Sequence, residues 1–356
     1  MMIKTAQAIV FENPGEVGLG EFNLKPLAPD EVVVETAYTF VSPGTELRIL
    51  SGYYSQSAPF PVVPGYCVVG RVVEVGAKAK GFREGDWISG RTPRPLVGVG
   101  AQWGGQASAH VYATMGENRP VLLPRDCEPL DYVITEVAAI ALRGVQAARP
   151  VAGESAVVIG QGIIGALSAA WLHQAGCRVA VVDLEDSRLE RALKLGAAFA
   201  VRGDDEDVVA RLQAFLYGGA DITVEATGAI PGVKLAYQLP RRKPQSYGTD
   251  YVVEPIHFYG GDWPRLVMQA TYVDQVSHDP HSFVPGEGVT ILSPQDRGIE
   301  DRQRAVEALR RGQIRSADFL DLVAPVADAP AAYEALSKRE RFSVTFDWKD
   351  SMPQAA

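Results

Sequence analysis

Six residues constrain this chain more than any others: Gly160-Gln161-Gly162-Ile163-Ile164-Gly165, placed directly after an apolar run at 156–159 and at the start of an apolar helical period over 163–175. A strand that enters a helix through three glycines at this spacing reads as the first strand–helix turn of a dinucleotide-binding unit. Gly160 permits the tight turn, Gly162 lets backbone approach a pyrophosphate, and Gly165 lets helix and strand pack closely, while the helix N-terminus at Ile163 and Ile164 stabilises phosphate charge. Asp183 ends the next strand about twenty residues on, where a carboxylate can accept both ribose hydroxyls and repel a 2′-phosphate. The expected cofactor is therefore NAD rather than NADP.

The surrounding pattern agrees with a wound sheet. Strands at 156–159, 178–182, 199–201 and 222–225 alternate with helical periods at 163–175, 187–195 and 208–216. This spacing predicts a doubly wound, parallel α/β domain. The texture before about residue 124 is different, with short β-rich runs at 6–11, 31–36, 70–75, 87–89 and 109–112, punctuated by Ser42-Pro43-Gly44 and Pro64-Gly65. That predicts an all-β domain with many turns. A charged helix at 300–311, a helix near 331–336 and a strand at 342–348 are expected to return to it, giving one domain over 1–136 completed by 297–356 and a second over 137–296. Residues 239–264 break the pattern with Arg241-Arg242-Lys243-Pro244 and an aromatic-rich stretch, which reads as a surface excursion or as a substrate-pocket or subunit-contact loop.

Composition then excludes several classes. The chain has 356 residues, which suits two domains, and 47% hydrophobic with 22% charged residues argues against wholesale disorder. A net charge of −9 offers no long-range attraction to nucleic-acid phosphates or anionic lipid. Its three cysteines, Cys67, Cys127 and Cys177, are widely spaced and build neither a disulfide framework nor a four-cysteine zinc lobe. The first residues lead straight into a strand-like run without the apolar core of a signal peptide, and glycines interrupt the most apolar stretch at 156–172. A cytoplasmic protein with no membrane span is expected.

At this level the chain resembles the medium-chain dehydrogenase/reductase superfamily. The resemblance rests on residues 62–76 ("VVPGYCVVGRVVEVG"), Gly85-Asp86, the glycine motif, and Val224-Glu225-Ala226-Thr227-Gly228. It implies a GroES-like catalytic domain beside a Rossmann domain, hydride transfer between a secondary alcohol and a ketone, a small-molecule substrate, and a homodimer paired along an exposed strand. Ala226 and Thr227 would lie where the family closes over the nicotinamide. Zinc-dependent relatives carry metal ligands on two turns that here read Pro43-Gly44-Thr45-Glu46 and Gly65-Tyr66-Cys67, so the resemblance implies a dismantled metal site. A replacement set of Glu46, Cys67 and Glu136 is the alternative at that position. Without zinc, Tyr66, Thr45 and Glu46 become the candidates for stabilising the substrate oxygen and moving its proton. Residues 41–46, 63–66 and 103–105 also resemble the bacteriochlorophyllide hydroxyethyl dehydrogenases. Two other functions stay open: an NAD(P)H-dependent enoyl or quinone reductase, and a dinucleotide-binding protein without turnover.

Overall fold

The computed structural model describes residues 3–241, 263–272, 275, 288–295 and 298–351, and the chain divides into two compact units, 1–139 with 297–356, and 140–296. In chain order β1 (Thr5–Asn13) and β2 (Glu16–Asn23) form a hairpin, followed by β3 (Glu31–Phe40), α1 (Pro43–Leu50), β4 (Val62–Val63), β5 (Cys67–Val75), β6 (Trp87–Gly90), β7 (Gly100–Ala101), β8 (Ala109–Ala113) and β9 (Val121–Leu122). Next come α2 (Thr135–Ala148), β10 (Ser155–Ile159), α3 (Ile163–Gln174), β11 (Arg178–Asp183), α4 (Asp186–Lys194), β12 (Phe199–Arg202), α5 (Val208–Phe215) and β13 (Ile222–Glu225). The chain continues through α6 (Ile230–Ala236), β14 (Arg265–Met268), β15 (Thr290–Leu292), α7 (Ile299–Arg310), β16 (Leu322–Pro325), α8 (Ala329–Ser337) and β17 (Val344–Asp347).

The second unit is one parallel sheet in the order β12-β11-β10-β13-β14-β15. The strand sequence explains why it is covered on both sides. In β10, Ala156 and Val158 join one apolar cluster with Leu172, Val181 and Val224, while Val157 and Ile159 join another with Val182, Leu212 and Leu235. A strand buried at every position has no solvent face, so helices must pack on both. The strand order reverses between β10 and β13, and the glycine turn sits at that switch point, where open α/β sheets bind their ligands.

The first unit holds a sheet of β2-β1-β4-β7 and another of β16-β17-β3-β5-β6-β9, with β8 pairing β3. The end of the chain completes its core. Tyr333, Leu336, Val344, Phe346 and Trp348 pack with Ile9, Phe11, Val41, Ile49 and Val62 in a single cluster. The two-domain α/β architecture is the one the sequence predicts.

Two local readings change. Residues 43–46, read as a turn, are the first turn of α1: Ser42 is the N-cap, Pro43 takes the first helical position, and the Glu46 carboxylate accepts the Ser42 N–H at 2.9 Å. Residues 16–23 form β2, whose glycines and half-exposed alternation hide the strand pattern. Most of the 239–264 excursion lies outside the described residues. Among the described residues, no helix is long and apolar enough to cross a membrane.

Candidate functional site

The second unit builds a cradle from its glycines. Gly160 has φ +87°, and a Cβ on it would meet the Thr227 methyl at 2.8 Å and the Ala226 carbonyl carbon at 3.1 Å. A Cβ on Gly165 would lie 1.8 Å from the Gly160 carbonyl oxygen. These two glycines are required by the fold itself. Gly162 differs, because a Cβ there would meet nothing within 4 Å. It is also the N-cap of α3 and makes no side-chain cap, so the first-turn amides that include Ile163 and Ile164 have no side chain capping them. Open space in front of such a helix end fits a pyrophosphate.

Asp183 is held in place by backbone. Its Oδ2 accepts the Gln161 N–H at 2.5 Å, its Oδ1 accepts the Leu184 and Glu185 N–H groups at 2.8 and 3.0 Å, and the Arg188 guanidinium lies 3.9 Å away. Thus Asp183 is joined directly to the glycine turn. On the other side of β10, the Ala226 N–H donates to Ile159 O at 2.9 Å, and the Thr227 N–H donates to Glu225 Oε1 at 2.8 Å. The Thr227 hydroxyl donates to the same Glu225 oxygen. The structure therefore brings Gly160, Gly162, Gly165, Asp183, Ala226 and Thr227 to one edge of the sheet, and the residues fit a dinucleotide.

Sequence reasoning missed Glu225 as the organiser of this edge, although a carboxylate closing an apolar strand was a signal. It is fully buried, accepts the Gly228 N–H at 3.2 Å besides the Thr227 donors, and accepts the Tyr272 hydroxyl at 2.6 Å. Nothing local marks Tyr272.

In the first unit, Tyr66, Thr45 and Glu46 do come together, in a largely interior polar network. The Tyr66 hydroxyl donates to Ser42 Oγ at 2.7 Å and is hydrogen-bonded with the Thr45 side chain, while Trp103 packs edge-on against its ring. Burial pushes the Tyr66 phenol up, so it keeps its proton. Glu46 is 0% exposed and accepts the Ser42 N–H, the Gln106 side-chain amide at 3.1 Å and the Tyr333 hydroxyl at 2.5 Å. Gln106 in turn accepts the Thr39 hydroxyl at 2.5 Å, and the Trp348 indole donates to Thr39 Oγ1 at 2.8 Å. Glu46 therefore ties α1 to α8, and Thr45 is half-buried where Ser42, Glu46 and Tyr66 are buried.

Burial pushes the Glu46 carboxyl up from 4.5 to about 7, outweighing the opposing pull of its hydrogen bonds to Tyr333, Ser42 and Gln106. The folded protein then keeps a proton that the unfolded chain releases near 4.5. The stability this proton contributes is fully present below that pH and is lost as pH rises through about 7. The interval corresponds to about 3 kcal/mol. Urea unfolding is expected to show stability declining from pH 5 to pH 8 with a component that Glu46→Gln removes. Equal slopes in the two proteins would refute this assignment.

The residues that the family resemblance sets at a metal position do not have the chemistry of a zinc site. Pro43 has no ligand atom, and the Tyr66 phenol is held neutral. The Cys67 thiol is buried and pushed well above its ordinary value by desolvation and then by Glu136 and Glu46. Glu136 faces Arg302 at 3.5 Å and Arg91 at 3.9 Å, and three donors meet Glu46. Among the described residues, no group of three or more His, Cys, Asp or Glu side chains could hold a metal ion.

Comparison with known proteins agrees with both units. Residues 28–119 match the alcohol dehydrogenase GroES-like domain, and residues 164–245 match the zinc-binding dehydrogenase family. The 2-dehydro-3-deoxy-L-galactonate 5-dehydrogenase of Pseudoalteromonas atlantica is 26% identical over 343 residues, which cover 89% of this chain and 92% of that protein. Among solved structures, a protein of Sinorhizobium meliloti 1021 bound to NADP superposes with a TM-score of 0.79 at 20% identity, over 97% of this chain and 100% of the other. An alcohol dehydrogenase of Escherichia coli CFT073 complexed with NADH gives 0.78 at 17% identity, over 97% and 100%. With its two domain matches in this order on a glycine-turn sheet and a β-rich unit, the chain is similar to the zinc-type alcohol dehydrogenases of the medium-chain dehydrogenase/reductase superfamily.

Proposed function

We propose that this protein is an NAD(H)-dependent oxidoreductase that interconverts a secondary alcohol and a ketone without zinc. The observation that carries the reading is the cradle at the switch point, with open space at Gly162, no side-chain cap on α3, and Asp183 fixed at the end of β11. Its relatives' names support a hydroxyl–ketone pair as the substrate class. In the oxidative direction the carbinol C–H bond breaks, the C=O bond forms, and the hydroxyl proton leaves. The bound nicotinamide would supply the hydride acceptor.

The chain's own residues would set the rest. Asp183 places negative charge where a 2′-phosphate would sit, which disfavours NADP. The hydroxyls of Tyr66, Ser42 and Thr45 form a hydrogen-bonded group on the turns that hold zinc in relatives, and Thr45 is the member left half-buried. We assign Thr45 to meet the substrate oxygen and Tyr66 to position it. Glu46 anchors α1 behind them. The exposed strand β15 ends the parallel sheet among the described residues, and we assign the homodimer contact to it.

The test is a titration of the purified protein with NADH and NADPH, followed by turnover of alcohols, ketones and enones after chelator treatment. NADH is expected to bind at least tenfold more tightly, Asp183→Ala to narrow that gap, and alcohol turnover to survive metal removal. Activity confined to enones would move the reading to an enoyl or quinone reductase. Binding with no turnover on any class would leave a non-catalytic dinucleotide-binding protein. The short-motif resemblance to bacteriochlorophyllide dehydrogenases adds a chlorin side-chain alcohol to the panel.

A further inference from the structure

The strand order also says which residues face which half of a dinucleotide. Asp183 lies at the end of β11, on one side of β10, and α3 receives the pyrophosphate above β10. The half that carries the nicotinamide must then run the other way, over the ends of β13 and β14. The segment following β14 reaches the end of β13 twice: the Gln269 N–H donates to the Glu225 carbonyl at 2.9 Å, and the Tyr272 hydroxyl donates to Glu225 Oε2 at 2.6 Å. The same carboxylate holds Thr227 and Gly228, and Thr227 abuts the glycine turn at Gly160.

We propose that Tyr272 is a nicotinamide-recognition residue whose phenolic oxygen accepts a hydrogen bond from the carboxamide N–H of the cofactor. This rests on the dinucleotide reading of the site. A phenol has one proton and two lone pairs. Here the proton is committed to a buried carboxylate, with the Met268 thioether 3.8 Å from the same oxygen as a far weaker competitor. Burial, the hydrogen bond to Glu225 and the carboxylate's charge all push the Tyr272 phenol up, so it stays a donor to Glu225. What it can offer a ligand is therefore acceptance. A primary amide can satisfy that, and a methyl ketone cannot. Glu225 thus acts as a positioning residue, because it fixes the direction of the Tyr272 proton.

The experiment measures binding to the full chain of NADH, of ADP-ribose, which lacks the nicotinamide, and of the reduced acetylpyridine analogue of NADH, which has an acetyl group in place of the carboxamide. Tyr272→Phe is expected to weaken NADH about tenfold, the value of one hydrogen bond. It should leave ADP-ribose within about twofold, on the same hydrogen-bond scale, and abolish the wild-type preference for NADH over the acetyl analogue. Glu225→Gln frees the phenol to turn its proton outward, so it too should lose that preference. Equal weakening of NADH and ADP-ribose would mean that Tyr272 only supports the loop, and would overturn the proposal. So would NADH binding unchanged in Tyr272→Phe, or a wild type with no preference for the carboxamide. A wild type that binds neither NADH nor ADP-ribose would instead sink the dinucleotide reading itself.

Discussion

Replacing Arg302 by alanine is expected to remove about 3–5 kcal/mol of folding stability. Arg302 and Glu136 have side chains only 1% exposed, and the guanidinium stands 3.5 Å from Glu136 Oε1. It also donates to the Arg119 carbonyl at 2.9 Å and to the Glu117 carbonyl. Truncation therefore takes from a buried carboxylate the nearer of its two guanidinium partners and leaves two carbonyls short of a donor. The loss exceeds what the pair contributes relative to an apolar replacement, because desolvation of both charges has already offset much of their attraction. Urea unfolding of Arg302→Ala should show the full deficit, and the double variant Arg302→Met with Glu136→Gln should recover part of it. A deficit below about 1 kcal/mol, the range of an exposed pair, would refute the account.

The second large effect separates two glycines of one motif. Gly165→Ala is expected to cost about 3 kcal/mol and abolish dinucleotide binding, since its methyl would lie 1.8 Å from the Gly160 carbonyl oxygen, a backbone atom that cannot step aside. Gly162→Ala should fold like the parent. Its φ of −65° suits any residue, and nothing lies within 4 Å of the added methyl. That methyl would nonetheless occupy the space in front of α3, so NADH affinity should fall at least tenfold at unchanged melting temperature. Calorimetric melting and NADH titration of both variants check the contrast. Comparable melting temperatures for the two would show that Gly165 is not packed as described.

What could be read from the chain alone follows from the range of the interactions that encode it. The parallel sheet was legible because β10 and β11 carry the apolar runs 156–159 and 179–182 and alternate with helical periods, a pattern carried by neighbouring residues. The cradle was legible because its glycines and Asp183 lie within one strand–helix–strand unit. Pro43-Gly44 misled, since a proline at the first position of a helix and a proline in a turn look alike until the Glu46 carboxylate is seen on the Ser42 amide.

Only the tertiary structure decided the rest. Glu46 meets Tyr333 across 287 residues, Trp348 meets Thr39 across 309, Arg302 meets Glu136 across 166, and Tyr272 meets Glu225 across 47. A buried polar side chain must find its partner wherever the fold places one, and no periodicity along the chain records that choice. The sequence by itself therefore determined the sheet, its two covered faces and the glycine turn, whose causes are local. The tertiary structure decided that Glu46 is an interior tie, that Glu136 answers guanidinium groups, and that the Tyr272 hydroxyl donates to Glu225 at the end of the sheet, because each depends on where distant segments meet.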